Sequence, residues 1–387
     1  MLATEPPVFI TDHEALRTFA EKLRGVPRAA VDTESNSMHA YRERVCLLQI
    51  STPDCDAVID PMALTNLSAL TSFFENPTPE KVFHAAEYDL LCLRRDFGFR
   101  VRGLFDTHAA VRALGARECG LSALLEVEFG VRLDKRMQRA DWGIRPLPAR
   151  QLEYARYDTH YLLPLRDRLL ERIDAAGLRQ ELQDEFLRLE SIPDLPSEGE
   201  EMDPFWRIRG VHDLAPVQRA VLRALFNWRE EQAEKIDRPP FHVLSEENMT
   251  RIAVSAPGSL AQLAEGAGLP SRVIQRWGDA ILQVVHRGQT DKPPVFIRKR
   301  GMDENAQASL ENLRQWRKKR AQARGVESDV ILSRDAMFRI ARTAPESLAE
   351  LADIPGLGSW RMATYGQEIL LVLHPAQTKE QPCESTS

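Results

Sequence analysis

Four carboxylates and one phenol stand out by type and spacing. Asp32 and Glu34 flank Thr33 at the end of an apolar run, Asp89 follows a second short apolar segment, and Tyr154 precedes Asp158 by four residues in a helical pattern. Taken singly, each is an ordinary solvated surface group. As a set they offer the oxygen ligands that hard divalent cations prefer, with no need of Cys or His. Two such ions about 3.5–4 Å apart can activate a water and stabilise the leaving oxygen of an in-line displacement, the chemistry that cuts a phosphodiester. Without cations, crowded acids repel and raise one another's pKa, so the cluster makes sense mainly with metal bound. A phenol of ordinary pKa near 10, one helical turn from Asp158, suits orienting the attacking water better than acting as a free base.

The elements that must position these groups can be read from the apolar pattern. Residues 28–34 form a short small-and-branched run of the kind that makes a buried strand. Strand alternation turns Asp32 and Glu34 to one side, and Val31 and Thr33 to the other. Further strands are expected over Val45–Ile50 and Ala57–Ile59, giving an antiparallel meander from the first strand, and over Val82–Ala86. A helix from about Glu87 to Phe97 would carry Asp89 in its first turn, where a negative charge suits the helix dipole. Pro148 opens a long helix, as proline tolerates a first turn, and the spacing of Tyr154 and Asp158 sets them on one face of it. Strand, helix start and helix face can meet at one end of a central sheet.

Three segments also resemble a known family. Val31-Asp32-Thr33-Glu34, His84-Ala85-Ala86-Glu87-Tyr88-Asp89-Leu90 and Tyr154-Ala155-Arg156-Tyr157-Asp158 are similar to the three exonuclease motifs of the DEDDy 3′–5′ exonucleases, and within that group to the bacterial ribonuclease D family. Val45-Cys46-Leu47-Leu48-Gln49-Ile50, Phe105-Asp106-Thr107 and Asp141-Trp142 ahead of Arg145-Pro146-Leu147 extend the resemblance. It implies an α/β ribonuclease-H-like exonuclease domain, a mixed sheet flanked by helices, that hydrolyses from the 3′ end and releases 5′-mononucleotides with two divalent cations, Mg²⁺ or Mn²⁺. Carried over by position, the resemblance makes Asp32, Glu34, Asp89 and Asp158 the metal ligands, with Asp32 bridging, and Tyr154 the water-orienting group. His84 is expected as a core or supporting residue, Asp106 as the cap of a helix starting near Thr107, and Tyr157 as packing. Glu87 and Glu153 fall outside the matched positions.

The remainder of the chain repeats itself. Residues of about 214–284 recur 88 positions later without a gap: Leu225-x-x-Trp228-Arg229 aligns with Leu313-x-x-Trp316-Arg317, and Met249-x-Arg251-Ile252-Ala253 with Met337-x-Arg339-Ile340-Ala341. Ala256-Pro257-x-Ser259-Leu260 aligns with Ala344-Pro345-x-Ser347-Leu348. An unbroken offset of this length marks duplicated modules. Each copy reads as short helices, with Val217, Val221, Leu222, Leu225 and Trp228 at helical intervals and Ser245 as an N-cap. Both resemble the all-helical HRDC module (helicase and ribonuclease D C-terminal), the second copy the more diverged. The expected organisation is an exonuclease domain over 1–190, a linker over 191–205, HRDC-like domains over 206–289 and 295–375, and a disordered tail over 376–387. Pro355-Gly356-Leu357-Gly358 before Ser359-Trp360 is similar to a hairpin whose free amides hold a phosphate, with a plain turn as the alternative. Basic residues cluster between Arg298 and Arg324, and again in Arg132, Lys135, Arg136, Arg139, Arg145 and Arg150 beside the Tyr154 helix, where a phosphate backbone would need steering.

Composition supplies bounds. A chain of 387 residues with 43% apolar content supports two or three domains with proper cores. A net charge of −6 gives no global basic signature, so nucleic-acid binding must come from local patches. Five cysteines without a Cys-x-x-Cys pair argue against a disulfide framework and a zinc site. No leader peptide or membrane span is visible, and a reducing cytoplasm fits. The expectation is therefore a cytoplasmic 3′–5′ exoribonuclease, with tRNA precursors the RNA that the resemblance implies and no membrane partner. Nothing in the motifs reads a 2′-hydroxyl, so a 3′–5′ DNA exonuclease stays open. A nucleic-acid-binding scaffold with an idle centre is the other alternative, against which the intact five-residue set speaks. Monomer and paired chains are equally compatible with the apolar helical modules.

Overall fold

A computed structural model describes residues 5–191, 203–296 and 302–375. Most of the expected linker and the whole expected tail lie outside the described residues. The chain forms two compact units. One holds described residues 5–34, 45–191 and 302–375, and the other holds 35–44 and 203–296.

The first unit is built on a six-stranded mixed sheet of order β1-β4-β3-β2-β5-β6, from β1 (Val8–Ile10), β2 (Arg28–Ser35), β3 (Val45–Ser51), β4 (Asp56–Ile59), β5 (Glu80–Phe83) and β6 (Leu104–Asp106). β2, β3 and β4 lie side by side in chain order, as a meander requires, and β3 runs antiparallel to β4. β1 joins β4 in parallel, while β5 joins β2 and β6 joins β5 in the same sense. Every residue of β3 is buried, because helices cover both faces of the sheet, and the strand reads as a continuous apolar run for that reason. The three-residue edge strands β1 and β6 are too short to give a periodic signal. The strand expected over Val82–Ala86 stops at Phe83. Ala85 turns into the left-handed region at φ 60°, and the Asp106 carboxylate accepts the Ala85 and Ala86 amides at 3.0 and 2.9 Å. Those amides thereby leave the ladder.

In the second unit the first repeat folds as helices Pro216–Lys235, Glu246–Ser255, Leu260–Ala267 and Ser271–Thr290. Val221, Leu222, Leu225, Trp228, Met249 and Ile252 form its core, while Val217 stays exposed. Ser245 caps its helix by accepting the Asn248 amide. The 35–44 segment belongs to this unit: Tyr41 packs on the helical core, its amide donates to Asp237, and Arg42 pairs with Glu234.

The second repeat, helices Glu304–Arg324, Arg334–Thr343, Leu348–Ala352 and Ser359–Leu373, reproduces several of the same caps. Ser333 and Ser347 stand where Ser245 and Ser259 cap the first copy, and Ala256 and Ala344 both end a helix at positive φ. Its partners differ, however. Arg324 reaches Glu181 and the Ala113 carbonyl, Arg361 reaches Glu185, and Arg112 pairs with Asp329. The hairpin read as a phosphate holder is already filled from within the chain: Asp184 accepts the Trp360 amide at 2.6 Å and the Ser359 hydroxyl at 3.2 Å. A Cβ on Gly358 would stand 2.5 Å from that carboxylate, at a φ of 74° that also favours glycine. The anion is thus a side chain of the sheet-bearing part of the unit, not a phosphate. Several bases of this module are likewise engaged, Arg320 with Glu368 and Arg317 with the Leu332 carbonyl. Asp184→Ala is expected to cost about 1–2 kcal/mol, the loss of a helix-start cap and its charge, and to speed amide exchange at the start of the Ser359–Leu373 helix. Hydrogen exchange read by mass spectrometry checks it, and unchanged protection there would refute it.

Candidate active site

β2 delivers Asp32 and Glu34 to the end of the sheet, and the Ala149–His160 helix brings Asp158 across to meet them. Pro148 sits at the cap of that helix, where no amide is required. One ligand atom each from Asp32, Glu34 and Asp158 lies within 4.8 Å of the others, with Asp158 buried and the other two partly exposed. Three of the four expected acids therefore converge tightly enough to share a divalent cation. Asp89, buried in the first turn of the Glu87–Phe97 helix, stands outside that group. Its carboxylate instead accepts a hydrogen bond from the Thr33 hydroxyl, the side chain that strand alternation turns away from Asp32 and Glu34.

The electrostatics are those of acids held together without compensation. Burial, then the Asp158 charge, pushes Asp32 well above the usual carboxylate range. Burial, then Asp32, Asp158 and Asp89, does the same to Glu34. Asp89 rises through burial and Asp32, against the lowering pull of Thr33. Burial and Asp89 lift Asp158 to about 8. A bound cation would invert this logic by supplying the missing positive charge. Tyr154 is buried beside Trp142, ring centroids 6.1 Å apart. Burial first, and then Asp158, Glu34 and Asp32, raises its pKa further, so its phenol keeps its proton.

Supporting residues complete the frame. Asp106 caps the Thr107–Ala113 helix as expected, accepting the His108 and Ala109 amides. The same carboxylate also shapes the turn that starts the Asp89 helix. His84 faces Thr107 at 3.0 Å, with its pKa lowered to about 3 by burial and His108, and it is not among the clustered ligands. Arg145 belongs to the frame and not to a phosphate track: it holds Asp60 through two bonds of 2.6 and 2.8 Å and the Trp142 and Cys46 carbonyls through others. Arg132 pairs with Glu126, while Arg136 and Arg150 share Asp134. Exposed pairs of this sort are weak enough to exchange partners; that of Arg145 with the buried Asp60 is not exposed. The sequence reading missed Arg145, Asp60 and Thr33 as site supports, because their partners are distant in the chain.

A carboxylate whose folded pKa is raised binds protons more tightly when folded. Its stability contribution is greatest at low pH and is lost as pH rises from about 3.8 toward about 8 for Asp158. In the metal-free protein this cluster is therefore expected to become increasingly destabilising across that interval, against the opposite contribution of carboxylates held low, such as Asp56 and Glu185. Asp158→Asn should raise its thermal midpoint at pH 8 by a few degrees and abolish stabilisation by Mn²⁺. A variant less stable than the parent, or equally stabilised by Mn²⁺, would remove the repelling, cation-ready cluster.

Residues 7–174 match the 3′-5′ exonuclease family, and residues 218–285 and 306–373 each match the HRDC domain. The chain is 32% identical over 283 residues to ribonuclease D of Escherichia coli, covering 73% of this chain and 74% of that protein. It is 32% identical over 265 residues to the exosome complex exonuclease RRP6 of Saccharomyces cerevisiae, 65% of this chain and 36% of that protein. The chain thus spans about a third of the exosome relatives it matches. The crystal structure of Escherichia coli RNase D superposes with a TM-score of 0.66 at 26% identity, covering 96% of this chain and all of that one.

Proposed function

We propose that this chain, which belongs to the ribonuclease D family of 3′–5′ exonucleases, shortens RNA from its 3′ end and releases 5′-mononucleotides with the aid of two divalent cations, Mg²⁺ or Mn²⁺. The observation that carries the reading is the approach of Asp32, Glu34 and Asp158 to within 4.8 Å, with Asp89 and Tyr154 adjoining. In this reading Asp32, Glu34, Asp89 and Asp158 would hold the cations. Bound there, divalent cations lower the pKa of water and neutralise charge on the leaving 3′-oxygen.

The remaining work falls to the chain's own groups. Tyr154, kept protonated by its acidic and buried surroundings, hydrogen-bonds and orients the attacking water at its phenolic oxygen. Trp142 and the buried flank of the helix keep bulk water from the Tyr154 ring. Asp89, lying against Thr33, is near enough for its charge to act on Glu34 and Asp158. RNA with structured 3′ ends is the proposed substrate class, tRNA precursors among them. The relative whose structure resembles this one is described as an exoribonuclease involved in structured RNA processing. The HRDC-matching repeats are proposed to assist RNA retention. A reducing cytoplasm suits the four free cysteines found among the described residues, and no helix there is long and apolar enough to cross a membrane.

Matched 5′-labelled RNA and DNA strands with unpaired 3′ ends, incubated with Mg²⁺, Mn²⁺ or chelator, test the reading. A metal-dependent ladder shortening RNA from the 3′ end is expected. Preference for DNA would move the protein to deoxyribonuclease chemistry, and binding without cleavage would leave a scaffold. Asp32→Asn should abolish turnover while RNA retention persists. Tyr154→Phe should slow cleavage by about 10²–10⁴-fold, the scale of a positioned proton-handling group; a change within about twofold would demote the phenol to packing.

A further inference from the structure

The Ala149–His160 helix is held on the side away from the acid cluster by a buried polar network that none of the motifs predicts. Asp56, at the start of β4 and 4% exposed, is its centre. Its Oδ2 accepts from Arg156 Nε at 2.6 Å and lies 2.8 Å from His160 Nδ1; its Oδ1 accepts from the Ser51 hydroxyl at 2.7 Å. Ser51 is the β3 residue paired with Asp56 across the ladder, and its Oγ also lies 2.7 Å from Thr159 Oγ1. Burial alone would raise the Asp56 pKa, yet the bonds from His160, Ser51 and Arg156 hold it below the usual range, so the group is a carboxylate.

The geometry of the helix explains what this grip does. At 100° per residue, Tyr154 and Asp158 lie on one flank and Arg156 and His160 on nearly the opposite one. The buried Ala155 and Thr159 lie between them. The sheet order β4-β3-β2 sets these flanks over different strands: the Asp56 side over β4, the acid-cluster side over β2. The apolar seam between helix and sheet joins Ala155 and Tyr154 to Cys46, Leu47, Val58 and Trp142, and apolar contacts carry no directional preference that fixes the roll of a helix. A roll of about 10° moves a side-chain end on a cylinder of roughly 5–6 Å radius by about 1 Å. Buried ion pairs add little net stability, but they specify one geometry.

We propose that Asp56, acting through Arg156 and His160, is a positioning residue that fixes the roll of this helix and so sets the spacing of Asp158 and Tyr154 from Asp32 and Glu34. This rests on the reading of those four as the cation-binding and water-orienting set. Asp56 does not touch the reacting atoms, so its loss acts on turnover and cation affinity and not on RNA capture.

The test compares the parent with Asp56→Ala, His160→Ala and His160→Asn, in which the amide nitrogen can replace the imidazole donor. Folding is followed by thermal midpoint, and cleavage of a short single-stranded RNA is measured against Mn²⁺ concentration. Folded Asp56→Ala should lose about 10–100-fold in kcat, the cost of roughly 1 Å of misplacement. It should also need several-fold more Mn²⁺ at half-maximal rate, with KM for RNA within about twofold of the parent. His160→Asn should retain most activity where His160→Ala loses it. If Asp56→Ala fails to fold, the two His160 variants decide. Parent-like kcat and Mn²⁺ requirement in a folded variant, or equal impairment of both His160 variants, overturns the positioning role and leaves the nuclease reading intact. A parent protein that neither cleaves RNA nor responds to Mn²⁺ overturns both.

Discussion

Mutual repulsion among crowded, wholly or partly buried carboxylates is the constraint on which the rest of this structure turns. Asp32, Glu34 and Asp158 crowd within one cation's reach, and burial makes their charges costly. Nothing in the cluster itself favours that arrangement in the absence of cations. It is imposed by what stands behind it: a strand that cannot shift register without exposing Val31, and a helix fastened on its far flank by Asp56. The Asp106 turn likewise forces the Asp89 helix to begin where it does. The fold supplies the opposing force that a group of like charges requires.

Oppositely charged pairs buried away from the cluster do the fastening. Arg145 with Asp60 and Arg156 with Asp56 both tie the 141–160 region to β3 and β4. An apolar contact of similar size would contribute as much stability but would tolerate sliding and rolling. Directional, charge-assisted bonds do not. Arginines that look, in the sequence, like a track for phosphates are here partly the bolts of the frame.

The duplicated modules show how one pattern can take on different work. Both copies keep the serine caps of their two middle helices and the same apolar spacing, so both fold alike. The second has acquired Arg324, Trp360 and Arg361 where the first carries Ile236, Arg272 and Val273. These residues engage Glu181, Asp184 and Glu185, and the second copy joins the sheet-bearing unit through them. The amide-rich hairpin that would suit an external phosphate is satisfied by an internal carboxylate instead. A helix start does not distinguish the two anions; proximity does.

The sequence by itself determined the parts whose information is local. Apolar periodicity and caps marked β2, β3, the Glu87–Phe97 helix and the Ala149–His160 helix, and the gapless 88-residue offset marked the repeats. The types and order of Asp32, Glu34, Asp89, Tyr154 and Asp158 pointed to oxygen-ligated cations, because few other chemistries use acids so arranged. Tertiary structure alone decided which acids meet: Asp158 joins Asp32 and Glu34, while Asp89 turns to Thr33. It also decided that Val82–Ala86 breaks after Phe83, that Asp184 fills the hairpin, and that Asp56 anchors a helix 100 residues away. Each of these depends on a partner remote in the chain. Local propensity encodes what a segment can become, and only packing settles which charge ends beside which.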